Sequence, residues 1–188
     1  MITFRPATVE DSPAIAELYQ MAAGGVADYV WSMLAEPGET LLDVGARRFA
    51  REGEDFSYQH CTMAEQDGAV LGMVHAYPMF EIMDVDDDMD PVLRPYCDLE
   101  SAPGLYIAGI ACYPVARGKG VGTQLLELVR QRARRDNLPE LSLIAFEQNT
   151  GSVRLYEREK FDIVRRRAIV AHELIQYTGD ALLMVASL

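Results

Sequence analysis

The chain has 188 residues, 49% of them apolar, and a formal net charge of −12, enough length for one domain with a real core. So acidic a composition argues against nucleic acid as a main partner, since phosphate contacts need basic residues, and no apolar run approaches the length of a membrane span. Three widely spaced cysteines, Cys61, Cys97 and Cys112, argue against a disulfide framework and against a metal site; with no basic-then-apolar leader in Met1–Pro6, the expectation is a cytoplasmic chain without metal.

Residues 2–7 alternate as a short first strand. Pro13 suits the first turn of a helix capped by Asp11 or Ser12, with Ala14, Ile15, Leu18 and Met21 at helical spacing. Helical stretches follow over about 27–36 and 39–51. Residues 57–64 and 69–77 read as a hairpin around the turn Glu65-Gln66-Asp67-Gly68. Residues 81–104 then read as an acidic surface insertion, with Glu81, Asp84, Asp86, Asp87, Asp88, Asp90, Asp98 and Glu100 against one base, Arg94.

Leu105 to Cys112 is a strongly apolar strand. After Pro114 it enters the loop Arg117-Gly118-Lys119-Gly120-Val121-Gly122-Thr123, which opens a helix carrying Val121, Leu125, Leu128 and Val129 on one face. Residues 141–146 form a further strand, 149–160 a short helix, and 163–172 and 181–188 two last strands joined through Tyr177-Thr178-Gly179-Asp180. The order predicts an α/β (α+β) fold: a mixed, largely antiparallel sheet of about seven strands flanked by helices, in a single domain over residues 1–188.

The loop is the chemically informative segment. Glycines let main-chain N–H groups approach a ligand, and a helix N-terminus carries partial positive charge. A dinucleotide fold needs Gly-x-Gly-x-x-Gly early in a repeated parallel pattern, and a nucleotide hydrolase needs Gly-Lys-Ser/Thr; Gly118-Lys119-Gly120 offers neither. What stands here is Arg117-x-x-Gly120-x-Gly122 directly after an apolar strand.

That segment, following Ile110-Ala111-Cys112-Tyr113-Pro114, resembles the acyl-CoA-binding signature of the Gcn5-related N-acetyltransferase (GNAT) family. Asn149 to Phe161 resembles the family's second motif, with Asn149, Tyr156 and Phe161 in register. Two departures stand out: Ser152 where alanine is common, and Lys160 where glycine usually precedes the phenylalanine, which alters a helix C-cap.

The resemblance implies acetyl-CoA as co-substrate. Main-chain N–H groups of Gly118, Lys119, Gly120, Val121, Gly122 and Thr123 would hold the pyrophosphate, with Arg117 and Lys119 adding charge. The main chain of Ile110, Ala111 and Cys112 would pair with the pantetheine arm on a strand that splays from its neighbour. An N–H of that strand would polarise the carbonyl. Tyr156 would be the acid for the departing sulfur, since a phenol stays protonated at neutral pH; its other reading is a core aromatic. Asn149 holds the cofactor, caps the helix, or does both. Arg130, Arg132, Arg134 and Arg135 either extend a basic cluster or form a solvated helix face.

Glu147 is a candidate base, as are His75 and His172, each with a structural role as its alternative. Cys112 reads as packing rather than as a nucleophile. The implied reaction is direct transfer of an acetyl group to a primary amine on a small molecule or peptide; the alternatives are a different acyl group, or an acyl-CoA sensor or scaffold without catalysis. The family also implies a homodimer through the final strands.

The acidic insertion either steers a cationic amine or serves solubility or an oligomer contact. If it steers, reversing Asp86, Asp87 and Asp88 to lysine raises KM for an amine substrate. An unchanged KM at low salt removes the idea.

Overall fold

The computed structural model describes residues 1–82 and 88–188. Seven strands, β1 (Ile2–Pro6), β2 (Cys61–Gln66), β3 (Ala69–Met79), β4 (Gly104–Cys112), β5 (Glu140–Phe146), β6 (Asp162–Ala168) and β7 (Asp180–Ser187), form one sheet in the order β1-β2-β3-β4-β5-β7-β6. The helices are α1 (Ser12–Ala22), α2 (Val26–Leu34), α3 (Leu41–Phe49), α4 (Arg94–Cys97), α5 (Val121–Arg135) and α6 (Thr150–Arg158). β4 runs parallel to β5, while β1–β2, β2–β3, β5–β7 and β6–β7 are antiparallel. The mixed, mostly antiparallel sheet flanked by helices is the expected one. The chain forms two compact units: Met1–Ala76 with Gly109–Leu125, and Tyr77–Ala108 with Leu126–Leu188.

In the first unit α1, α2 and α3 pack with β2 and β3 around Ile15, Leu18, Trp31, Val44, Phe49, Met63 and Met73, each 2% exposed or less. Asp11 does not cap α1 with its side chain. It accepts the N–H of Thr8 (2.8 Å) and a two-pronged bond from Arg5 (2.7 and 2.9 Å). The arginine holds its carboxyl below the ordinary aspartate range. The first strand of the hairpin begins at Cys61 rather than at residue 57: Ser57 is fully buried, its Oγ donates to Arg51 O and accepts from Gln59 N–H, and residues 58–60 form a 3₁₀ turn. The hairpin turn is Asp67-Gly68, with φ of 53° and 79°, the left-handed pair that a two-residue connection requires.

In the second unit β5 and β7 form a core with Leu99, Ala181 and Leu183, against which Tyr96, Ile144, Ile169 and Val185 pack. Of the last two strands β6 is shorter than expected, ending at Ala168, where Ile169 N–H already bonds Gly179 O across the closing loop, while β7 has its expected length. Within the acidic segment Asp90 Oδ1 accepts from Val92 and Leu93 N–H ahead of α4, and Asp98 takes Arg167 at 3.1 Å. Met83, Asp84, Val85, Asp86 and Asp87 lie outside the described residues.

Both α5 and α6 end in the same double-bonded cap. In α5 Leu138 N–H reaches Ala133 O and Asn137 N–H reaches Arg134 O; in α6 Phe161 N–H reaches Tyr156 O and Lys160 N–H reaches Glu157 O. The pattern needs a left-handed residue at the turn. Asn137 (φ 55°) tolerates that conformation, but Lys160 (φ 68°) stands where glycine would be unstrained.

Two substitutions test this packing. A Cβ on Gly45 of α3 would lie 2.5 Å from Trp31 Cη2 and 2.9 Å from Ala16 Cβ. Overpacking of that kind costs about 2–3 kcal/mol against a helix-propensity gain of about 1 kcal/mol, so Gly45→Ala is expected to destabilise the protein in urea unfolding; an unchanged or raised midpoint contradicts the close packing. Lys160→Gly removes the left-handed strain and is expected to stabilise by about 1 kcal/mol; a lowered midpoint contradicts it.

Candidate functional site

The apolar strand β4 delivers the glycine loop. Its parallel register with β5 pairs Leu105, Tyr106 and Ile107 with Leu141, Ser142 and Leu143, and β4 continues to Cys112. Ile110, Ala111 and Cys112 are half-buried. On the β3 side the approach is close: a Cβ on Gly72 would lie 2.5 Å from Ala111 O and 2.9 Å from Cys112 Sγ. Gly109 faces α1 in the same manner, with the Tyr19 ring 2.8 Å from where its Cβ would be. Neither glycine is marked in the sequence, because what each one meets, main chain for Gly72 and a tyrosine ring for Gly109, is distant along the chain.

After β4, Tyr113 N–H bonds Leu71 O and its hydroxyl donates to Glu17 at 2.7 Å. A short turn over Pro114–Ala116 follows. The loop is pinned at both ends by buried residues, Ala116 and Val121 at 1% exposure each, while residues 117–120 are exposed. Gly118 (φ 73°) and Gly120 (φ 77°) are both left-handed. Left-handed residues placed this way aim successive N–H groups to one side and form an anion-binding concavity. α5 begins at once, and its first bond across the loop is Gln124 N–H to Gly120 O at 3.1 Å. Val121, Gly122 and Thr123 therefore present the N–H groups that an opening helix leaves without intrahelical acceptors. These features fit a phosphate-bearing ligand.

Asn149 is the N-cap of α6: its Oδ1 accepts from Ser152 N–H (3.3 Å) and its carbonyl from Val153 N–H (3.0 Å). Tyr156 is buried, packs edge-on against Phe161 with ring centroids 5.9 Å apart, and its phenol is pushed up to about 12 by burial. It therefore stays protonated across the physiological range. Burial also raises the Cys112 thiol above its ordinary value, with Arg117 opposing, so the structure offers no thiolate there.

The candidate bases are less available. His75 is fully buried in a ring of Tyr19, Phe49 and Phe56, and its Nε2 bonds Asp55 O at 2.8 Å, so it serves the core. His172 Nδ1 accepts from Leu174 N–H in a turn. Glu147 is exposed at the end of β5, its N–H bonds Asp180 O, and its carboxylate pairs with Arg166 at 2.6 Å. Glu100 is half-buried, and burial raises its carboxyl. Three of the arginines on α5 are engaged: Arg130 with Glu159 and Glu127, Arg132 and Arg135 with Asp136.

Among the described residues no group of histidines, cysteines and acids is placed to hold a metal ion, and no helix is long and apolar enough to cross a membrane. No curated protein matches the chain. Solved structures do: a ribosomal-protein-alanine N-acetyltransferase from Brucella melitensis (23% identity, 99% of each chain covered, TM-score 0.64), an N-acetyltransferase from Staphylococcus aureus Mu50 (19%, 98% of this chain and 100% of that one, 0.66), and a GNAT family acetyltransferase from Elizabethkingia anophelis with acetyl-CoA bound (20%, 100% and 98%, 0.61). At such identities they share the fold. The sequence itself matches the acetyltransferase (GNAT) family over residues 28–161, a span that takes in β4, the glycine loop and α6: the chain is a member of that family.

Proposed function

We propose that the protein transfers an acetyl group from acetyl-CoA to a primary amine on a small molecule or peptide. The observation that carries this is the loop, with two left-handed glycines ahead of the bare N-terminus of α5. Bound acetyl-CoA in the Elizabethkingia neighbour supports the choice of donor. The N–H groups of residues 118–123 hold the pyrophosphate, and Arg117 and Lys119 add charge at its rim. Ile110, Ala111 and Cys112 offer main-chain groups along β4 to an extended amide-bearing arm, and one of their N–H groups polarises the acetyl carbonyl.

Acetyl-CoA supplies an activated carbonyl and a thiolate leaving group. As the amine nitrogen bonds the carbonyl carbon and the carbon–sulfur bond breaks, Tyr156 gives its proton to sulfur. Asn149, whose Oδ1 already caps α6, fixes the start of that helix. The amine's proton leaves to a carboxylate or to water; Glu147 meets this role only by parting from Arg166. A cationic amine suits the acidic chain.

Tyr156→Phe is expected to lower kcat by about 100-fold, the usual scale for a general acid, with KM for acetyl-CoA within about two-fold. The measurement is release of free coenzyme A thiol across a panel of polyamines, amino acids, aminoglycosides and peptide N-termini. Acetyl-CoA binding without thiol release on any acceptor, and without an effect of Tyr156→Phe, identifies a non-catalytic binder instead.

A further inference from the structure

We propose that Arg130 positions Tyr156 by holding the C-terminal cap of α6; its link to turnover rests on Tyr156 serving as the acid. Arg130 lies in α5 with its side chain 14% exposed. Its Nη2 donates to the main-chain oxygen of Glu159 at 2.6 Å, and its Nη1 lies 3.4 Å from Glu127 Oε2 and 3.8 Å from Glu159 Oε2. Glu159 is the C-cap residue of α6, so its carbonyl is among those that the helix cannot satisfy itself. A cation at that end also complements the helix dipole.

The two helix ends explain why an arginine is placed here. The cap of α5 turns on Asn137, which accepts a left-handed conformation, whereas that of α6 turns on Lys160, which resists it. The α6 cap is therefore the strained one, and a shielded guanidinium grips it. Tyr156 depends on that cap twice. Its carbonyl accepts the closing bond from Phe161 N–H at 2.9 Å, and its ring packs against the Phe161 ring. Because α6 has only nine residues and Tyr156 sits in its last turn, fraying of the cap releases the phenol from its orientation. Arg130 is thereby removed from the phosphate-binding charges and becomes a positioning residue.

The test combines kinetics with amide hydrogen exchange on the full-length protein. Arg130→Ala is expected to lower kcat by about ten-fold, the scale of a mispositioned reacting group, to leave KM for acetyl-CoA within about two-fold, and to accelerate exchange of the Lys160 and Phe161 amides. Adding Lys160→Gly, which relieves the strain that Arg130 opposes, is expected to restore both slow exchange and kcat. Arg130→Gln, a milder change, carries the same prediction at smaller size should the alanine variant not fold. Unchanged exchange, unchanged kcat, or no rescue by Lys160→Gly overturns the proposal. So does a raised KM for acetyl-CoA at constant kcat, which marks Arg130 as a phosphate contact. A Tyr156→Phe variant as fast as the parent removes the acid and Arg130's part in turnover with it, whereas a slow Tyr156→Phe beside an unimpaired Arg130→Ala removes Arg130's role alone.

Discussion

The constraint on which the first unit depends is the closeness of two backbones. A Cβ at Gly72 would lie 2.5 Å from the carbonyl oxygen of Ala111, a separation no side chain tolerates, so β3 and the end of β4 touch main chain to main chain. From there the placement of the loop follows. Tyr113 is fixed by Leu71 O and by Glu17, Ala116 and Val121 are buried at the loop ends, and the two left-handed glycines complete the concavity between them. The loop itself makes little packing contact; its geometry is set by what anchors it.

Charge in this chain does more structural work than its formal value suggests. Arg5 with Asp11, Arg167 with Asp98, Arg166 with Glu147 and Arg130 with Glu159 each join separate elements. The arginines of α5 are largely spent on neighbouring acids, which leaves Arg117 and Lys119, exposed on the loop, as the cations beside the N–H groups proposed to hold phosphate. In the acidic segment, too, Asp90 and Asp98 are committed to a turn and to an ion pair.

Much of the fold was legible because its signals are local. An apolar run, a proline, closely spaced glycines and an amphipathic repeat place β4, the loop and α5 with no knowledge of the rest. Asn149 and Tyr156 stood out through the resemblance of residues 149–161 to the family's second motif. What the sequence hid is what depends on distant partners: Gly72 against Ala111, Gly109 against Tyr19, and His75 enclosed by Tyr19, Phe49 and Phe56. Ser57 looked like the start of a strand because its neighbours alternate; its burial against Arg51 O turned those residues into a 3₁₀ turn instead. Lys160 was visible as a departure, but only the φ of 68° shows that the cap survives it, and only the Arg130 contact shows what opposes its strain.

The main chain at the end of β4 bears on how this chain tolerates mutation. If, as proposed, the donor is read by the main chain of Ile110 to Cys112 and by loop N–H groups, then most side chains along the site are free to drift, since an N–H group is the same whichever residue supplies it. Random substitution then falls unevenly. Positions that bear no side chain at all, Gly72, Gly118 and Gly120, are the intolerant ones, while Ile110 and Thr123 accept many replacements. A site written in backbone keeps its shape while its letters change, and the fold can persist among relatives that share few residues.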